Sequence, residues 1–135
     1  MARPALPTLL KLADKKLEDI QQQLHTNRAA QQGIARQITH WEQEVATAFA
    51  AAIAEDAVRD LQAAHAYQQR AAAAIMQLNT SRRALQATEA ELLNALQSAY
   101  TTQQQYKQLL EAQTLRAKQT ASRKAQANLD DLKRR

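Results

Sequence analysis

Leu10-Lys11-Leu12-Ala13-Asp14-Lys15-Lys16-Leu17-Glu18-Asp19-Ile20-Gln21-Gln22-Gln23-Leu24 sets leucine at positions 10, 17 and 24, with Ala13 and Ile20 between them. Spacings of three and four residues mark one face of a helix lying along a partner helix. Downstream, the sevenfold series continues through Gln31 to Ile38 and Val45, and the interleaved series through Asn27, Ile34, Trp41 and Ala48. Six heptads thus form one apolar seam, with Asn27 and Gln31 as its polar members. Upstream, Pro7 is tolerated only in a first turn and Thr8 can cap the amides that follow, so a first helix is predicted over residues 8–52. Gly33 costs about 1 kcal/mol relative to Ala within it, which six heptads of packing absorb.

A second stripe, in the same spacing, passes through Leu61, Ile75, Leu78, Leu85, Leu92, Leu96, Tyr106 and Leu110, interrupted by Gln68, Arg82, Glu89 and Gln103. Between the stripes, Ala46 to Ala57 holds Phe49 and Ile53 as its large apolar residues and Glu55-Asp56 as its charges. Asp56 can cap a new helix, which places a turn at Ala52 to Asp56 and a second helix over 56–128, with a frayed basic tail over 129–135. The predicted fold is all-α: a single antiparallel two-helix coiled-coil hairpin with a longer second helix. Ala48, Ala51 and Ala52 then face Ala63, Ala64 and Ala71 to Ala74 near the turn, where small side chains let the axes approach. A rival boundary at Asn79-Thr80-Ser81, residues that compete with helical hydrogen bonding, gives a three-segment bundle instead. In the hairpin, a first arm of about 45 residues spans roughly 68 Å, and the same length of the second arm ends near Tyr100. Residues 101–135 are then an unpaired overhang.

Composition agrees with long helices. The 135 residues include 30 Ala and 20 Gln, one Gly, and two Pro, both before residue 8; that is too few turn formers for a compact globule. No apolar run is long enough to span a bilayer, and Met1-Ala2-Arg3-Pro4-Ala5-Leu6-Pro7 lacks the apolar centre of a signal peptide, so a soluble, cytoplasmic protein is expected. The absence of Cys removes disulfide and thiolate chemistry.

Charge is distributed unevenly. Residues 1–115 carry 11 basic and 11 acidic side chains, whereas 116–135 carry Arg116, Lys118, Arg123, Lys124, Lys133, Arg134 and Arg135 against Asp130 and Asp131. The whole net charge of +5 lies in that last segment. Such a segment suits nucleic acid, an anionic membrane or an acidic protein surface.

Nothing points to catalysis. His25, His40 and His65 do not share a helical turn, one Gly cannot build a phosphate loop, and no Ser or Thr lies in a nucleophile motif. No enzyme activity, cofactor, metal site or small-molecule substrate is expected. Asp14, Glu18 and Asp19 beside Lys15 and Lys16 read as a solvated face with i, i+4 pairs. Trp41 reads as seam, while Tyr100 and Tyr106 are placed where a contact role is open.

The opening Leu9-Leu10-Lys11-Leu12-Ala13-Asp14-Lys15-Lys16-Leu17-Glu18-Asp19, the end of the first stripe at Ile38, Trp41, Val45 and Phe49, and the closing run from Leu109-Leu110 through Leu115-Arg116 and Arg123-Lys124 to Leu129-Asp130-Asp131-Leu132 together resemble the FliJ family of flagellar type III export proteins, with YscO-type injectisome stalk proteins as close relatives. The resemblance implies a hairpin whose terminal end enters the pore of a hexameric, FliI-like export ATPase. It also implies contact with an FlhA-like export gate, escort and recycling of export chaperones, and a place at the cytoplasmic face of the inner membrane through the export apparatus. Carried onto this chain, it assigns Leu9, Leu12, Lys15, Lys16, Arg116, Arg123, Lys124 and Asp131 to the ATPase end, and Tyr67, Ile75, Leu78 and Arg82 to the gate. The chain departs from the family at Ala71 to Ala74, where a larger apolar or aromatic residue is usual.

Two other classes share these features. A binder of nucleic acid or membrane surfaces would use the basic tail, with affinity falling steeply in salt; a generic adaptor or self-associating coiled coil would pair the first stripe with a second copy. Self-pairing sets Arg82 against Arg82 and Glu89 against Glu89, which favours folding back, and no nucleic acid is expected.

Overall fold

A computed structural model of the chain describes residues 5–55 and 57–134. It holds two helices, α1 (Leu6–Glu55) and α2 (Val58–Arg134), packed against each other as a hairpin with α2 the longer. The fold class read from the two stripes is the one observed.

α1 starts two residues before the predicted position. The amides of Thr8 and Leu9 both donate to the Ala5 carbonyl, at 3.0 and 3.1 Å. Thr8 therefore lies inside the first turn and Ala5 takes the capping place. Pro7 sits one residue earlier in that turn, where its missing N–H leaves no bond unmade. At the other end α1 continues past Ala52 to Glu55. α2 opens with the Leu61 amide donating to the Ala57 carbonyl at 3.2 Å, and with Asp60 in its first turn facing the positive end of the helix dipole. The expected capping residue Asp56 lies outside the described residues, as do Met1 to Pro4 and Arg135 of the basic tail.

The rival break at Asn79-Thr80-Ser81 is not made. α2 runs through it unbroken, and the Thr80 hydroxyl donates back to the Met76 carbonyl at 3.1 Å, so a residue able to compete with the helix is instead folded onto its side. Residues 129–134, expected as a frayed tail, belong to α2, with Lys133 and Arg134 in its last turn.

Contacts divide the molecule into two units. One comprises Gln22–Asn94 and contains the turn. Its interior is built from Leu24, Asn27, Ala52, Ala64 and Ala71, flanked by half-buried Ile34, Ile38, Trp41, Val45, Leu78 and Leu85. Nearest the turn the layers are alanine, with Ala52, Ala64 and Ala71 only 2%, 3% and 1% exposed. Among these layers aromatic pairs bridge the helices: Trp41 and Tyr67 lie with ring centroids 5.7 Å apart, and Phe49 meets the His65 ring edge-on at 5.0 Å. The alanine facing expected from sequence is realised at Ala52, Ala64 and Ala71, partly at Ala48 and Ala74, and not at Ala51, Ala63, Ala72 or Ala73, which are exposed.

The other unit comprises Met1–Gln21 with Ala95–Arg135. Ala13, Ile20, Ala99 and Gln103 form its buried interior, and Leu10, Leu17, Leu96, Tyr106 and Leu110 are half-buried. The overhang therefore begins after Leu110, not at Thr101. The correction follows from the helix bounds: α1 is 50 residues long and the turn consumes almost none of the chain, so more of α2 finds a partner. From Glu111 to Arg134 every residue is exposed.

Candidate protein-docking surfaces and the polar seam

All eight residues assigned to an ATPase end fall in the unit formed by Met1–Gln21 and Ala95–Arg135. On α1, Leu9 is half-buried, Leu12 is 58% exposed, and Lys15 and Lys16 are exposed. On α2, Arg116, Arg123, Lys124 and Asp131 all lie in the exposed stretch after Leu110. None of the eight enters an ion pair among the described residues. The i, i+4 pairs expected among Asp14, Lys15, Lys16, Glu18 and Asp19 are likewise not formed. Asp14 turns to the seam instead and accepts a hydrogen bond from Gln103 Nε2, while Lys15 and Lys16 stay exposed.

The four residues assigned to a gate contact fall in the Gln22–Asn94 unit, and the hairpin already uses three of them. Tyr67 packs on Trp41 and carries the Arg70 guanidinium 5.8 Å from its ring centre. Ile75 and Leu78 are half-buried, and Leu78 lines a shallow groove with Gln37, Trp41, Ala74, Gln77 and Ser81. Only Arg82 stands exposed. A partner approaching this part of α2 would meet Met76, 72% exposed, before it met Ile75 or Leu78. Met76 was legible as a residue outside both sevenfold series, the position from which a helix presents a side chain to solvent.

The interruptions in the two stripes turn out to answer one another. Gln31 Nε2 donates to Glu89 Oε2 and to Asn27 Oδ1, both at 2.6 Å, and Arg28 Nε donates to Glu89 Oε1 at 3.3 Å. Asn27 Nδ2 completes the layer by donating to the Leu85 carbonyl across the hairpin at 3.0 Å. Asn27 is only 6% exposed, yet no buried polar side-chain atom among the described residues lacks a partner. With both carboxylate oxygens held, first by Gln31 and then by Arg28, Glu89 is kept below the usual carboxylate range, against a smaller opposing effect of burial. Sequence reading found Asn27, Gln31 and Glu89 as polar positions in their own stripes, and did not single out Arg28. That they are complements could not be seen until the two stripes were aligned.

α2 also corrects the second stripe. Ala57, Ala64, Ala71, Leu78, Leu85, Leu92, Ala99 and Tyr106 fall seven apart, and so do Leu61, Gln68, Ile75, Arg82, Glu89, Leu96, Gln103 and Leu110. The polar interruptions all lie in the second series. The alanines of the first are core, with Ala64, Ala71 and Ala99 fully buried.

His25, His40 and His65 are exposed, and no group of His, Asp and Glu able to hold a metal ion occurs among the described residues. No helix among those residues is long and apolar enough to cross a membrane. Compared with protein families, with curated proteins and with solved structures, the chain matches none. What the geometry supports is a coiled-coil hairpin suited to a structural or adaptor role: long helical faces with exposed side chains of both signs.

Proposed function

We propose that this chain is a non-enzymatic coiled-coil stalk of a type III protein-export apparatus, docking its terminal end into a FliI-like hexameric export ATPase, contacting an FlhA-like gate and escorting export chaperones. The observation that carries the reading is the exposed helix after Leu110. It holds Arg116, Lys118, Arg123, Lys124, Lys133 and Arg134 against Glu111, Asp130 and Asp131, with Leu115, Leu129 and Leu132 more than half exposed among them. A long, basic helix with exposed leucines and no covering partner is suited to enter an acidic or carbonyl-lined opening, where a few charge-assisted hydrogen bonds fix position. The gate contact rests on Arg82 and Met76, the exposed side chains beside the half-buried Ile75 and Leu78.

The test is ATP turnover by a purified FliI-like hexamer with the full chain and with a chain ending at Leu115. Stimulation by the full chain that disappears on truncation, and that weakens in added salt, is the expected result. Absence of binding by either chain leaves the generic adaptor. Tail-dependent binding to DNA or to anionic vesicles, with no effect on the ATPase, replaces the stalk with a polyanion binder.

A further inference from the structure

Gly33 is the only glycine and Pro7 the last proline, so neither glycine nor proline marks the turn between Glu55 and Val58. The layers beside that turn do not mark it either. Ala57, Ala64 and Ala71 recur every seven residues along α2, and Ala48 and Ala52 belong to the matching series of α1. A seam of alanine against alanine presents the same small surface if one helix moves past the other by a heptad, because position 71 then stands where position 64 stood. Ile53 and Val58, the large side chains nearest the turn, are 68% and 72% exposed and anchor nothing. Apart from the Phe49–His65 and Trp41–Tyr67 contacts, what distinguishes one register from another lies away from the turn.

The polar layers have the required property. Asp14 and Arg28 are fourteen residues apart on α1, and Glu89 and Gln103 are fourteen apart on α2, so both layers close in one and the same alignment. Slip α2 one heptad in one direction and Gln31 faces Leu96, Asp14 faces Leu110 and Glu89 faces Ile38, leaving Gln31 and both carboxylates against apolar residues, with Gln103 moved to Gln21. In the other direction Arg28 and Gln31 meet Arg82 while Asp14 meets Leu96. Each slipped alignment keeps leucine and alanine in the seam but strands carboxylates or sets like charges together, and unpaired polar groups in a seam are costly where apolar ones are indifferent.

We infer that the layers Asn27/Arg28/Gln31–Glu89 and Asp14–Gln103 are the register lock of this hairpin, and that they determine from a distance where the chain turns. A single polar position in a coiled coil can specify alignment at some expense of stability; here two such layers, matched in spacing, act on a seam whose alanine end is degenerate. A heptad slip moves the turn by three or four residues in either direction along a segment, Ala46 to Ala64, that has no glycine or proline to oppose it. The inference concerns the chain's own fold and stands whether or not the stalk reading holds.

Cysteine pairs read the register directly, since the chain has none of its own. Phe49→Cys with His65→Cys reports the observed alignment, in which these rings touch. Phe49→Cys with Ala72→Cys and Phe49→Cys with Val58→Cys report the two slipped ones. Oxidation of otherwise unaltered full chains should link only 49 to 65. With Asn27, Gln31, Glu89 and Gln103 all replaced by leucine, the ratio of the 49–65 link to the other links, including links between two chains, should fall about tenfold, the effect of losing one charge-assisted bond's worth of discrimination. A leucine variant that remains helical by circular dichroism and still forms the 49–65 link alone overturns the inference. Should the fourfold variant lose its helical signal, Gln31→Leu with Glu89→Leu serves in its place and is judged by the same ratio.

Discussion

Two stretches of α2 invite comparison: Val58 to Asn94, which lies against α1 in the turn-containing unit, and Glu111 to Arg134, in which every residue is exposed. Both are rich in Ala and Gln and poor in aromatic residues, and both are helical. In the first, alanines at sevenfold positions are almost wholly removed from water; in the second, Ala112, Ala117, Ala121, Ala125 and Ala127 are exposed like their neighbours. Propensity alone is therefore enough to draw a helix, and the sevenfold series is what decides whether that helix has an inside. The series ends at Leu110, after which its next positions are Gln113, Ala117, Thr120 and Lys124. Without tertiary packing, the helix beyond Leu110 rests on propensity and on continuity with the packed part of α2.

The sharpest way to break the contrast is to place a charge in each stretch. Leu24→Asp puts a carboxylate into a site 5% exposed and is expected to cost about 3–5 kcal/mol in chemical denaturation. Leu129→Asp, at a site 53% exposed, should stay within about 0.5 kcal/mol. Equal effects would mean that the tail packs on something within the chain. A smaller change sharpens the comparison from the α1 side. A Cβ added at Gly33 meets no atom within 4 Å, so Gly33→Ala should raise stability by up to about 1 kcal/mol through propensity alone, seen as a higher denaturation midpoint with unchanged slope.

Smallest is the pH response. Glu89 has its folded-state pKa lowered by Gln31 and Arg28, so its contribution is present above the unfolded carboxylate pKa and is lost as pH falls through the lower folded value. In acid titrations followed by denaturation, Glu89→Gln should flatten this part of the profile. A profile indifferent to Glu89 would mean that the Arg28 and Gln31 contacts add no stability.

How much of this was legible depended on side-chain size. Every member of the α1 stripe from Leu10 to Ala48 is buried or half-buried, because large aliphatic residues announce their face. On α2 the stripe was read from its larger residues, so Ala64 and Ala71 were legible only as part of an alanine run facing α1, and the buried Ala99 was overlooked, alanine being equally at home on a helix's wet side. The turn was placed within a few residues by Asp56 and the change of stripe, although no backbone signal fixed it. Among the candidate docking residues, the charged ones were legible as exposed. Ile75 and Leu78 were read both as members of the second stripe and as gate contacts, and Tyr67 as a gate contact alone, since apolar side chains serve partners and cores alike and only the alignment of two helices separates the uses. For the same reason Gln103 was counted in the overhang, while its partner Asp14 was counted in a solvated charge cluster.

The pairing of Trp41 with Tyr67 carries a practical consequence. Trp41 is the only tryptophan in the chain and sits half-buried beside a ring from the opposite helix, so its fluorescence samples one defined point between the arms without any attached dye. Tyrosine excitation passed to that indole falls off as the helices separate, and its emission moves to longer wavelength as water reaches it. The molecule thus contains an optical gauge of its own closure, readable in the presence of any partner that lacks tryptophan.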